Sequence, residues 1–192
     1  LKLLVHVHTG AGFENASLIE ALLQGADGCW GGLPKRAAII GHASLGELLA
    51  NLVRAGNTHV RQEYAIDQLL PLATWLQTKD DPGSPIPEDL PVLGTNAYRL
   101  TLDFFRQLPT RAMDLPPETL GGKYGYRVAP LAADTIVLAG RLNEVLGPGP
   151  FQPTVLERMI GIMREDLRHG ERRVYDEPAE LVELYRRAGG QA

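Results

Sequence analysis

Two rounds of a short apolar run followed by an amphipathic stretch fill the first 56 residues, and this alternation narrows the fold more than any other feature. Leu1 to Val7 is apolar with little alternation, the pattern of a strand buried on both faces, as in a parallel sheet. Residues 16–24 predict a helix, with Ser17 and Glu20 at capping-box spacing and Gly25 at its C-terminal end. Ala26 to Gly32 predicts a second, weaker strand, and 33–42 a loop. Leu45, Leu48, Leu49, Leu52 and Val53 then recur at i, i+3, i+4, i+7 and i+8. That is one face of a helix running from Ala43 to about Ala55 and ended by Gly56. Strand, helix, strand, helix is an α/β repeat, and parallel strands are its usual outcome.

The remainder differs in character. Residues 60–78 predict a helix bent or broken at Pro71. Lys79 to Pro91 holds four prolines, a glycine and four acids, which predicts a solvated loop or linker. Helices are expected over 95–107 and 131–146, with a stop at Gly147-Pro148-Gly149-Pro150. Thr154, with Glu157 three residues on, begins the next helix, and Gly170 ends it. The mixed-charge run Glu165, Asp166, Arg168, Glu171, Arg172, Arg173 predicts a solvated helix end, and Asp176 is expected to cap a last helix over about 177–188. Three regions are therefore expected: an α/β part over 1–58, a helix with a Pro-rich linker over 59–91, and a mainly helical part over 92–192.

Composition removes several function classes. A net charge of −4 and a pI near 5.7 argue against nucleic acid and against a basic membrane-surface module. One cysteine, Cys29, rules out an internal disulfide framework and a multi-cysteine metal site, and predicts a buried small apolar residue. No apolar run approaches the ~20 residues of a membrane helix. The stretch before His6 is too short for a secretory signal, so a cytoplasmic location is expected. Leu1 already lies in the first strand, which gives the expectation of a partial chain.

His6-Val7-His8 carries the chemistry. Residues i and i+2 of a strand point to one face, so two imidazoles at a strand end can share one metal ion. In α/β barrels the C-terminal strand ends carry the active site. The alternative is two histidines that hydrogen-bond to neighbours and hold no metal.

The stretch from His6 to Glu47 resembles the last two βα units of the metal-dependent Claisen-condensing and lyase barrels. This family includes 2-isopropylmalate synthase, homocitrate synthase, Re-type citrate synthase and 3-hydroxy-3-methylglutaryl-CoA lyase. The likeness rests on His6-Val7-His8-Thr9-Gly10-Ala11-Gly12, Ala16-Ser17, Gly25-Ala26 and Gly41-His42-Ala43-Ser44-Leu45-Gly46-Glu47. Pro91-Val92-Leu93-Gly94-Thr95-Asn96-Ala97-Tyr98 and Pro117-Glu118-Thr119-Leu120-Gly121 resemble segments of the family's second subdomain. The resemblance implies an α/β fold: the last two βα units of a TIM (β/α)8 barrel over 1–58, followed by a mostly helical C-terminal region. It implies a divalent metal ion (Mg, Mn or Zn) on His6 and His8. The ion binds a 2-oxo acid and polarises its carbonyl as a Lewis acid, and the enolate of acetyl-CoA attacks that carbonyl. It further implies a homodimer, or a partner chain that supplies the remaining barrel strands.

The departures are as informative. The family's asparagine is His42 here. His42 is either a third ligand, which would suit Zn²⁺ or another late transition metal better than Mg²⁺, or a residue that caps the following helix or stacks in the loop. Glu47 is either a carboxylate that hydrogen-bonds a ligand histidine or a solvent-facing residue. Thr9-Gly10 replaces Asn-Asp, and Ala38 falls at the position of a loop glutamate. Tyr98 to Phe105 lacks both histidines of the family's later acid/base segment. Lys35-Arg36 is a loop pair that would bind an anion or be merely solvated, and His59 and His169 have no partner spacing. Besides a condensing enzyme, two functions remain open: a non-catalytic scaffold or regulatory subunit of the same descent, and a hydrolase or isomerase on a three-histidine metal site.

Overall fold

The computed structural model describes residues 1–33, 40–107, 115–171 and 173–191, so Lys35-Arg36, Ala38 and Arg172 lie outside the described residues. In chain order the elements are β1 (Leu4–Val5), α1 (Glu14–Leu23), β2 (Gly28–Cys29), α2 (Leu45–Arg54), α3 (Thr58–Glu63) and α4 (Leu69–Asp80). They continue with β3 (Arg99–Leu100), α5 (Phe104–Gln107), β4 (Gly125–Tyr126), α6 (Thr135–Leu146), α7 (Pro153–Arg168) and α8 (Pro178–Arg187). Two compact units result, Leu1–Ala97 with Ala112–Lys123 and Tyr98–Arg111 with Tyr124–Ala192. Among the described residues no helix is long and apolar enough to cross a membrane.

The first unit begins with the strand–helix alternation, and β1 and β2 pair in parallel. Helix α1 starts earlier than its spacing suggests: Ser17 lies inside it and makes no cap. Its other end is as expected. Gly25 and Ala26 donate back to Leu22 and Ala21 in a Schellman ending, with Gly25 at φ +98°, where a side chain would be strained. Helix α2 is capped by Ser44, whose Oγ accepts from the Glu47 N–H, and Gly56 and Asn57 close it in the same way. The apolar faces of α1 and α2 meet over Leu18, Ala43 and Leu48. They cover one side of β1 only. Leu1, Leu3 and Leu4 are exposed, so the run that read as a strand buried on both faces is covered on one.

The break expected at Pro71 lies elsewhere. Tyr64 adopts an extended backbone and ends α3, and a 3-10 turn over Ile66–Gln68 leads into α4. Pro71 is the third residue of α4, within the first turn, where its missing N–H has no helical partner to lose. The acidic Pro-rich stretch is anchored at its far end, where Leu93 is buried against Gly46 of α2.

Residues 95–107 depart from expectation. In place of one helix there is a 3-10 turn over Thr95–Tyr98, then β3 and the one-turn α5. Tertiary pairing overrides local propensity here. Strand β3 pairs in parallel with β4, and the Asp103 N–H donates to Asp134, the residue that also caps α6. The helices α6, α7 and α8 pack around Leu138, Leu142, Met159, Met163, Leu181 and Leu184, all fully buried. Each such side chain contributes roughly 2 kcal/mol through burial. Asp176 does not cap α8, whose N-cap is Glu177. Its carboxylate instead accepts from the Val128 N–H at 3.0 Å and pairs with Arg99 and Arg141.

Asp166 also departs from its sequence reading. It lies in the mixed-charge run yet is buried. Arg187 grips it with two hydrogen bonds, 2.7 and 2.8 Å, and the hydroxyl of the buried Tyr175 donates to it. The Arg187 bonds, against the cost of burial and with help from Tyr175, hold the Asp166 carboxyl at about 2, below its ordinary 3.8. Burial, and then the bond to Asp166, push the Tyr175 hydroxyl up to about 12 from 10.0.

Two pH limbs follow. A depressed carboxyl stabilises fully above its unfolded value, so the Asp166 contribution, about 2 kcal/mol, is present above about pH 4 and is lost as pH falls through 2. A raised phenol stabilises below its unfolded value, so the Tyr175 contribution is lost as pH rises from about 10 through 12. Arg187→Ala leaves a buried carboxylate unpaired and should cost about 3–5 kcal/mol at neutral pH. Tyr175→Phe should cost about 1 kcal/mol. Urea unfolding across the pH range checks both, and in Arg187→Ala the acid limb should flatten.

Candidate metal centre

In β1 and β2, Leu4 faces Gly28 and Val5 faces Cys29. One step further along this register, past both strand ends, His6 stands beside Trp30. Alternation then sorts the side chains. Val5, Val7 and Cys29 point to the helix side and pack against the Leu18, Ala43 and Leu48 cluster. His6, His8 and Trp30 occupy the opposite face, with His6 in ring contact with both others: its centroid lies 5.3 Å from His8 and 4.4 Å from Trp30.

The segment 41–45 crosses the ends of both strands. The Ala43 N–H donates to Val7 and the Thr9 N–H to Gly41, at 2.9 and 3.1 Å, which makes a short antiparallel bridge. On its other side the Gly32 N–H donates to Ala43 and the Leu45 N–H to Gly32, both at 3.0 Å. His8 and His42 are the non-hydrogen-bonded pair of the antiparallel bridge, the arrangement in which facing side chains come closest. Their ring centroids are 4.5 Å apart. Gly31 makes the crossing possible, because a Cβ there would lie 2.3 Å from the Ala43 carbonyl oxygen.

One ring nitrogen from each of His6, His8 and His42 lies within 4.8 Å of the others. Nitrogens around one zinc ion at ~2.1 Å sit roughly 3.4 Å apart, somewhat closer than this upper bound. The donor set fits a cation in three further respects. The His8 Nδ1 is 3.2 Å from the Gly41 carbonyl, so a proton held there donates to it and leaves Nε2 as a lone-pair donor. The His42 ring is 5 % exposed and its Nδ1 is buried without a hydrogen-bond partner. Burial first, then the neighbouring His8 and His6 rings, hold the His42 pKa below its ordinary value, which favours the neutral imidazole that metals bind.

Of the four residues selected from sequence, the structure brings His6, His8 and His42 together and leaves Glu47 apart. Among the described residues the Glu47 carboxylate makes no hydrogen bond to any of the three imidazoles; its backbone N–H serves the α2 cap. That cap is Ser44, so the capping role open to His42 is taken, and His42 is in ring contact with His8 and Trp30. Cys29 is half-buried on the helix side, and burial pushes its thiol up, away from reactivity. His59 and His169 are exposed.

Trp30 escaped the sequence reading, as did Glu14 and Asn15, which are buried at the start of α1. The signal for Trp30 was available: it follows the second strand directly, as His6 follows the first. No protein-family model matches this chain, and no curated protein matches it in sequence.

The crossing can be tested without any ligand. Gly31→Ala should push segment 41–45 off the strand ends and lower stability by about 2 kcal/mol or more. Gly10→Ala, with open space around the new methyl, should be neutral or slightly stabilising. Thermal and urea unfolding of the two variants makes the comparison.

Proposed function

We propose that this chain holds a divalent cation on His6, His8 and His42 and belongs to a metal-dependent enzyme that condenses acetyl-CoA with a 2-oxo acid, in the manner of the 2-isopropylmalate and homocitrate synthases. The observation that carries the reading is the convergence of three imidazoles at the C-terminal ends of two parallel strands. Active sites of α/β barrels occupy that edge, and the resemblance over residues 6–47 points to the last two units of such a barrel. A cytoplasmic location and either a homodimer or a partner chain that completes the barrel belong to the same proposal.

The donor set sets the kind of metal and ligand. Three neutral nitrogens favour Zn²⁺, Co²⁺ or Ni²⁺ over Mg²⁺, which prefers oxygen. They leave the full charge of the ion to be met by an anion, and the adjacent carboxylate and carbonyl oxygens of a 2-oxo acid suit that demand. When bound, the ion supplies Lewis-acid polarisation of the substrate carbonyl. The chain's own part is positional. The His8–Gly41 hydrogen bond fixes one ligand, burial fixes His42, and the apolar side of the strands keeps water from the rear of the site.

A second reading, a scaffold or regulatory subunit of the same descent, is favoured by one specific feature. Where the family carries its first later histidine this chain has Leu100, which is fully buried in β3 and serves packing.

Metal content decides first. Elemental analysis of the purified chain, alongside His6→Ala, His8→Ala and His42→Ala, should find about one equivalent of divalent metal in the parent and little in each variant. A screen of 2-oxo acids with acetyl-CoA, read by thiol release, then separates the enzyme from the scaffold. Absence of metal after soaking with Zn²⁺ and Mn²⁺ would overturn both the site and the activity.

A further inference from the structure

We infer that Trp30 is a positioning residue of the metal site: its indole holds the His6 imidazole in ligating orientation and strengthens the bound state. The inference rests on the three-histidine reading and deepens it.

A ligand imidazole needs a partner that fixes its ring, and removal of such partners typically weakens metal binding 10–100-fold. His8 has the Gly41 carbonyl. His42 has burial and the backbone bonds of its flanking residues, Gly41 and Ala43. His6 has neither. It is exposed, and among the described residues its ring makes no hydrogen bond. What it has is the indole. The two rings stack with centroids 4.4 Å apart and planes inclined by 28°. The same indole meets the His42 ring at 4.9 Å and 45°, so one side chain touches two of the three imidazoles, whose own centroids are 5.8 Å apart.

The stack also has a direction of charge. Coordination withdraws electrons from an imidazole, and the indole face is the best aromatic surface for a cationic neighbour. Trp30 should therefore favour the metal-bound site over the empty one. Its location is a consequence of register: parallel pairing of Val5 with Cys29 places residues 6 and 30 side by side. The neighbouring Gly31 leaves room for segment 41–45, so His42 can approach the same indole.

The test uses the indole as its own reporter. Trp30 and Trp75 are the only tryptophans, so Trp75→Phe leaves a single emitter. In that background, Co²⁺ or Ni²⁺ should quench Trp30 saturably, chelator should reverse the quench, and His6→Ala should abolish it. Metal affinity is measured independently by equilibrium dialysis in the parent Trp75→Phe chain and with Trp30 changed to Phe, Leu or Ala, each checked for folding by circular dichroism. Trp30→Phe should bind within about threefold of the parent, whereas Trp30→Leu, equally apolar but without a π face, and Trp30→Ala should bind at least tenfold more weakly. Equal affinity in all four would overturn the role of Trp30 and leave the three-histidine site standing. A loss in Trp30→Phe equal to that in Trp30→Leu would overturn the stacking account. No metal bound by the parent would remove the site itself, and this inference with it.

Discussion

Four backbone hydrogen bonds around one short crossing, residues 41–45 over the ends of β1 and β2, carry the organisation of the first unit. Each would contribute only about 1 kcal/mol on its own. Their importance is geometric. Two of them bring distant stretches of chain into one antiparallel bridge and set His42 opposite His8, and the other two tie the same segment to Gly32. They also start α2 at a fixed place, since Ser44, the residue after Ala43, is its cap. The core contact of Ala43 with Leu18 and Leu48 and the polar cluster on the opposite face are therefore two sides of one backbone path.

Much of this was legible in the residues, and the reason is local. The ends of α1, α2 and α7 were marked by Gly25, Gly56 and Gly170, because a left-handed ending is a property of one residue and its neighbours. The His6-Val7-His8 pair was legible because strand alternation is local too. What failed needed distant partners. Residues 95–107 have helical spacing, yet Leu100 gains more by pairing in β3 and burying completely. Asp176 looked like a cap, but two arginines and a backbone N–H from other elements claim its carboxylate. Trp30 visibly follows its strand, but its place beside His6 depends on the register of β1 against β2. For His42 the sequence left a ligand, a cap or a stacked loop residue open; Ser44 takes the cap, and the ring contacts with His8 and Trp30 come from other segments.

The two units make contrasting use of polar burial. In the second, Asp166, Tyr175 and Arg187 complete one another, so the buried charge is met within the protein. In the first, the His42 Nδ1 is buried without such a partner, on a face where two more imidazoles and an indole gather. A satisfied network argues for architecture, whereas the unmet His42 Nδ1 is a polar group that the proposed metal site would complete.

Arg187 closes the last turn of α8 and reaches back to Asp166 on α7. Helix ends commonly fray, opening one turn at a time with little free energy. Here the terminal turn cannot lift without stripping a guanidinium from a buried carboxylate. Opening of α8 is thereby tied to opening of the three-helix core. Its amides should exchange with solvent deuterium at the pace of the core helices.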